Sequence, residues 1–516
     1  MAVDHAHIKP TDILGQVIMP RLEISQYEED EKYRKFINEL IEQKYAGGFC
    51  IFGGTIESVS LIIGELQERA DKSNLPTLLM SCDCEWGLPM RLHSGGTEFP
   101  HLMALEKMGD LKGITQVAKA IGDEMSSLGL HWNFAPVADI NSNPNNPIIN
   151  IRAFSDDPDT VAECAKHFYE GLENAGIIAT AKHFPGHGDT NIDSHYDLPV
   201  IDKSFEEFDA LELIPFKDLV MKGIPSIMTG HISAPKLARS LGAQGTSDHL
   251  PATISPFLTH KLLREEIGFE GVIITDSLEM YGLRKILSDP GEIALHAFTA
   301  GADILLMPTD PIAAFDALAN AFAQGILSEG MINNRVERID KLRSKYAVPK
   351  PLSASVQWQE HDAIASGAAR RSITVEGQIP KPLRPSSVLI ASGSVKAKKQ
   401  VEMITTFFTS HLNGIGIYMF DNMLSASDID LGRSPLLIFL QRPHGVLTGE
   451  AGTESLSSRA LVVMKEINTH PLGVICFGDP YIADQFTNEK TDFLLRTYSD
   501  SIPSVRSTLQ LLSDYL

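Results

Sequence analysis

At 516 residues the chain is longer than one ordinary core and predicts two domains. Its 43% apolar and 21% charged content are those of a folded globular protein, and no apolar run reaches the roughly 18 residues of a membrane span. A formal charge of -22 with no polybasic segment excludes a nucleic-acid backbone and an anionic membrane surface as partners.

Met1-Ala-Val-Asp-His-Ala-His carries no basic stretch followed by an apolar one, so no secretory signal is expected. Strand-like apolar runs then recur at 14–19, 48–52, 77–81, 132–137, 177–181, 226–228, 272–275 and 304–307. Between and after them lie helical patterns at 29–43, 57–71, 113–128, 160–175, 205–221, 256–267, 292–300 and 312–323, with a further helix at 331–346. Eight strand–helix units predict a (β/α)8 barrel over residues 1–346, with Asp83, Asp139, Lys182, His231 and Asp276 following strands at one mouth. A doubly wound sheet competes, but no Gly-rich phosphate loop follows the first strand.

Prolines cluster from Ala347 to Leu352 and again from Gln378 to Ser387, so 347–386 reads as a linker leading into a second domain. Beyond it, strands at 388–391, 415–419, 436–440 and 474–476 alternate with helices at 400–409, 457–467, 481–484 and 504–515. Residues 387–516 are thus expected to form a smaller parallel α/β domain, an αβα sandwich. Cys50, Cys82, Cys84, Cys164 and Cys476 are odd in number and scattered, which predicts reduced thiols and a cytoplasmic location.

The richest segment runs Lys182-His183-Phe184-Pro185-Gly186-His187-Gly188-Asp189-Thr190-Asn191-Ile192-Asp193-Ser194-His195. Pro185, Gly186 and Gly188 oppose a helix, so it reads as a polar loop leaving a strand. In extended backbone Asp193 and His195 leave on one side, and the carboxylate can accept the imidazole N–H. Taken alone, Asp193 also suits a turn and His195 an exposed loop. His183, His187, His195, Asp189 and Asp193 have zinc-ligand types, but neither an H-x-H at a strand end nor an HExxH on a helix is present, so no metal is expected.

Asp276 closes the apolar run from Val272, a place that suits a nucleophilic carboxylate or, with Glu279, a helix N-cap. Asp83, Glu85, Trp86 and Arg91 offer carboxylates, a guanidinium and an indole, a mixture suited to a sugar, although Trp86 also suits core packing. Arg152 suits either a surface charge or a donor to a substrate hydroxyl.

Together these segments resemble the glycoside hydrolase family 3 β-N-acetylglucosaminidases, in the NagZ-like, two-domain type. The pattern K-H-[FI]-P-G-x-G-x(4)-D-[ST]-H is met without a gap from Lys182 to His195, and N-x-R-[AS]-F from Asn150 to Phe154. D-x-E-G-G-x-x-x-R is met at Asp83, Glu85, Gly87 and Arg91, with Trp86 in place of its first glycine, a change that reshapes the pocket. The resemblance implies Asp276 as nucleophile, His195 as acid/base oriented by Asp193, and Asp83, Arg91, Arg152, Lys182 and His183 as sugar contacts. His187 would shape the loop. Ala368 to Val375 resembles the helix-to-strand lead into the second domain of such members.

The implied activity is a retaining exo-β-N-acetylglucosaminidase that needs no cofactor. It would act on cell-wall turnover fragments or chitin oligosaccharides. A phosphorylase giving GlcNAc-1-phosphate, a family β-glucosidase and a non-catalytic sugar-binding barrel are the alternatives.

Overall fold

The structure, a computed structural model, describes residues 13–190, 197–347, 356–385, 387–392, 398–413, 415–420, 436–441, 471–487 and 491–516. Its contacts divide the chain into two units. One takes the described residues of Met1–Thr97, Ile114–Asn146 and Ser155–Trp358; the other takes those of Glu98–Gly113, Pro147–Phe154 and Gln359–Leu516.

The first unit is built on a curled parallel sheet. Its strands are β1 (Ile18–Met19), β2 (Arg21–Glu23), β3 (Gly48–Phe52), β4 (Leu79–Cys82), β5 (Trp132–Asn133), β6 (Ile178–Phe184), β7 (Ser226–Thr229), β8 (Val272–Thr275) and β9 (Leu305–Leu306). Strands β2 to β8 are neighbours in sequence order, and β1 pairs in parallel with β9. Gly47 N–H donates to Ile18 O at 3.0 Å and Thr275 N–H to Ile304 O at 3.1 Å, which ties the β1/β9 pair to β3 and β8. Every residue of β4, β6, β7 and β8 is buried, as for a parallel sheet covered on both faces.

Helices alternate with these strands because their sequences carry both a buried stripe and a cap. In Ile56–Lys72 the buried Val59, Ile62, Ile63, Leu66 and Ala70 repeat at helical spacing, and Thr55 and Ser58 form a capping box. Asp157, Asp289, Asp310 and Ser328 cap the helices Pro158–Asn174, Pro290–Ala300, Pro311–Ala323 and Glu329–Tyr346. A buried carboxylate, Asp303, locks three segments together: it accepts from Ile273 N–H at 2.8 Å, from Arg338 at 2.6 and 3.0 Å, and from Arg264. At the N-terminal edge of the sheet lies a cavity of about 370 Å³ lined by Gln67, Leu75, Leu130, His131 and Tyr346 among others.

Several expected elements differ. Residues 14–17 form a 3-10 turn before a two-residue strand, and the helix expected at 29–43 is broken at Asp30, which caps Glu31–Glu42. The 205–221 pattern splits into Phe205–Asp209 and Leu213–Lys222, and Phe257–Glu266 is a π-helix. Strand β6 continues to Phe184, so Lys182 and His183 sit on a strand and not on a loop.

The second unit carries a six-stranded sheet of β10 (Thr374–Gly377), β11 (Ser387–Ser392), β12 (Gly416–Phe420), β13 (Leu436–Gln441), β14 (Pro471–Phe477) and β15 (Phe493–Arg496). The order is β10-β15-β14-β13-β11-β12. Because β10 runs antiparallel to β15, the sheet is mixed, which corrects the all-parallel expectation. The helix Trp358–Ser372 and β10 lie inside the segment expected to be a linker. The helix expected at 457–467 lies outside the described residues. Among the described residues no helix is long and apolar enough to cross a membrane.

Candidate active site

The C-terminal ends of the parallel strands place most of the expected residues on one side of the first unit. Asp83 follows β4 directly, Lys182 and His183 are near the end of β6, and Asp276 follows β8. Arg91 follows the 3-10 turn Leu88–Met90.

Asp83, Arg91 and Lys182 form one ionic cluster with Glu85. Lys182 Nζ lies 2.9 Å from Asp83 Oδ1 and 2.7 Å from Glu85 Oε1. Arg91 donates to Asp83 Oδ2 through Nε at 3.1 Å and through a terminal nitrogen at 2.5 Å. Burial alone would push the Asp83 carboxyl up, but Lys182 and then Arg91 hold it well below the usual carboxylate range. Glu85 and Lys182 are buried, so their charges depend on each other rather than on water. Trp86 beside them is only 6% exposed, which fits packing more than an open stacking platform.

His183 and His187 are organised by Asp139, which sequence reading notes only as a polar residue after a strand. The Asp139 carboxylate accepts from His183 Nδ1 at 2.7 Å, from His183 N–H at 3.1 Å and from His187 N–H at 2.7 Å. A buried carboxylate can only accept here, so His183 carries its hydrogen on Nδ1. Burial pushes the Asp139 carboxyl up, yet His183 and His187 bring it below its ordinary value. The two rings meet edge to face at 5.9 Å. Burial drives His187 down to about 4, with Asp139 and Asp276 opposing, so it is neutral near pH 7.

The segment after β6 is clamped to the residues after Asp139. Asn146 Nδ2 donates to the carbonyls of His187 and Gly188, each at 2.9 Å. Gly188 is needed because a Cβ there would fall 1.5 Å from Ile140 O.

Asp276 is half-buried and is held through the backbone: its N–H donates to Thr229 O at 2.9 Å, and its Oδ1 accepts from Ser277 N–H at 2.7 Å. His231 supports this turn, with Nε2 2.8 Å from Ser277 O and Nδ1 2.7 Å from the Thr253 hydroxyl. Since a carbonyl only accepts, Nε2 bears the hydrogen and Nδ1 accepts from Thr253.

Arg152 lies on the 3-10 turn Asn150–Arg152 in the second unit, buried, with a terminal nitrogen 3.3 Å from Ile148 O. Asp193 and His195 lie outside the described residues. Among the described residues no group of three or more His, Cys, Asp or Glu side chains is arranged to hold a metal ion.

The glycosyl hydrolase family 3 N-terminal domain model matches residues 12–342. "Beta-hexosaminidase A" of Pseudoalteromonas piscicida is 38% identical over 331 residues, 60% of this chain and 55% of that protein. "Beta-N-acetylglucosaminidase/beta-glucosidase" of Cellulomonas fimi is 29% identical, over 67% of this chain and 62% of its own length. The chain thus spans little more than half the length of these curated relatives. Among solved structures, a glycoside hydrolase family 3 beta-N-acetylglucosaminidase from Paenibacillus sp. str. FPU-7 is similar, with a TM-score of 0.83, 27% identity and coverage of 99% of this chain and 97% of that one. A strand-end cluster of carboxylates, cations and imidazoles and a family model covering well over half the residues lead to one statement: the chain belongs to glycosyl hydrolase family 3.

Proposed function

We propose that the protein is a retaining exo-β-N-acetylglucosaminidase that removes terminal β-linked GlcNAc from peptidoglycan turnover fragments or chitin oligosaccharides. The observation that carries this reading is the gathering of Asp276 with the Asp83–Lys182–Arg91 cluster and His183 at the same ends of one parallel sheet. The named activities of the curated relatives and of the Paenibacillus structure support it. We read the first unit as a closed (β/α)8 barrel running to residue 346, supported by the hydrogen bonds that join β1 and β9 to β3 and β8. Five free, buried cysteines support a reducing compartment such as the cytoplasm.

In this reading Asp83, Arg91, Arg152, Lys182 and His183 hold the sugar. The Asp276 carboxylate attacks the anomeric carbon as the bond to the leaving oxygen breaks. His195, oriented by Asp193, gives that oxygen its proton. The neutral imidazole then takes a proton from water, whose oxygen displaces Asp276 from the anomeric carbon. Two inversions give net retention.

Nitrophenyl β-GlcNAc and β-glucoside, assayed with and without inorganic phosphate, test the proposal together with Asp276→Asn. Expected are free GlcNAc with retained configuration, no acceleration by phosphate, and a loss of roughly 10⁴-fold or more in Asp276→Asn. Near-normal turnover in that variant removes Asp276 as nucleophile. A phosphate-dependent rate with GlcNAc-1-phosphate as product replaces water as the acceptor, and preference for the glucoside replaces the substrate.

A further inference from the structure

Asp139 belongs neither to the proposed sugar contacts nor to the proposed acid/base pair, yet it is a fully engaged carboxylate beside His183. It is completely buried, and three donors from β6 and the turn after it converge on its two oxygens. Among the described residues no lysine or arginine is a hydrogen-bond or ion-pair partner of it. Its companion His183 has Nδ1 engaged, and among the described residues Nε2 meets no hydrogen-bond partner. The His183 side chain is 8% exposed and sits near the C-terminal end of β6, where a ligand at the strand ends would meet it.

We propose that Asp139 is a positioning residue that fixes His183 in its Nδ1–H form and its rotamer, so that Nε2 alone is presented to the sugar. The inference rests on the glycosidase reading above. It follows from donor geometry. Oδ1 receives the His187 N–H at 2.7 Å and the nearer share of the His183 N–H at 3.1 Å, so it remains an acceptor. Oδ2 takes the ring hydrogen at 2.7 Å and only the longer share of the His183 N–H at 3.2 Å, which makes it the oxygen that an amide NH₂ replaces. An asparagine at 139 therefore turns its carbonyl to the backbone pair and its NH₂ to His183. That amide donates to Nδ1 and moves the ring hydrogen to Nε2. The same inversion of tautomer explains why an amide fails in place of the carboxylate in Ser-His-Asp triads.

The test is Asp139→Asn measured alone and together with His183→Ala on an aryl β-GlcNAc, with nitrogen-15 spectra of the His183 ring. Expected are a loss of about 10²-fold in kcat/KM for Asp139→Asn, no more than about a twofold further loss when it is added to His183→Ala, and a ring that changes from Nδ1–H to Nε2–H. Losses that multiply in the double variant, or a lowered melting temperature with unchanged kcat/KM, make Asp139 purely structural and overturn the proposal. Should Asp139→Asn not fold, the wild-type spectrum decides, because an Nε2–H ring there overturns it. A wild-type protein inactive on β-GlcNAc sinks the glycosidase reading, while the ring's tautomer still reports on Asp139.

Discussion

Lys182 Nζ lies 2.9 Å from Asp83 Oδ1 although 99 residues separate them in the chain. The contact joins the end of β6 to the end of β4 and neutralises a carboxylate that burial would otherwise raise. Lys182→Met leaves Asp83 and Glu85 buried with one cation fewer. Removing one partner of such a set costs about 3–5 kcal/mol, so calorimetry should show a clearly lowered melting temperature, and kcat/KM should fall by about 10²-fold or more. An unchanged melting temperature would show that the cluster does not need the lysine.

His187 gives a pH prediction whose sign is fixed. Its folded value of about 4 is below the ordinary 6.5, so between those values the unfolded chain binds more protons than the folded one. Stability is therefore full above pH 6.5 and falls as the pH drops toward 4. At about 1.4 kcal/mol per pH unit the contribution is roughly 3 kcal/mol. His187→Asn, which does not titrate, should flatten melting temperature against pH across that window. An unaltered slope would assign the acid sensitivity to other groups.

His231 acts on the turn that carries Asp276 through a carbonyl. His231→Ala removes the donor to Ser277 O and should lower kcat by about 10- to 100-fold with KM nearly unchanged, because the proposed nucleophile Asp276 is misplaced while the proposed sugar contacts remain. His231→Gln can place an amide N–H near the Nε2 position and should recover part of that loss. Equal losses in both variants, with matching drops in melting temperature, would leave the ring a packing role alone.

The strand ends are legible in the sequence because a charged residue closing a buried run is costly unless something uses it, as at Asp83 after residues 78–82 and Asp276 after Val272–Thr275. The same rule misleads at β6. Lys182 and His183 are polar, so the apolar run stops at Ala181, yet both are buried strand residues held by Asp83, Glu85 and Asp139. Only the end of the helix Trp358–Ser372 is legible, in the helix-to-strand lead from Ala368; the rest is hard to read because its buried face is made of His361, Ala365, Ala368, Ala369 and Ser372, with little apolar contrast. Asp139 could be noted as a strand-end carboxylate, but its partner lies 44 residues on, and no local pattern pairs them.

The division of the chain has a topological consequence. The backbone passes from one unit to the other at 97/98, 113/114, 146/147, 154/155 and 358/359. Glu98 accepts from Ile502 N–H at 3.1 Å, His101 meets Ser499 at 2.9 Å and Asp110 pairs with Arg371 at 2.7 Å, all inside the second unit. A fragment ending at residue 346 would strand those three side chains without their partners. The second unit draws on three separate stretches of the chain, so it is interleaved with the first rather than appended to its end.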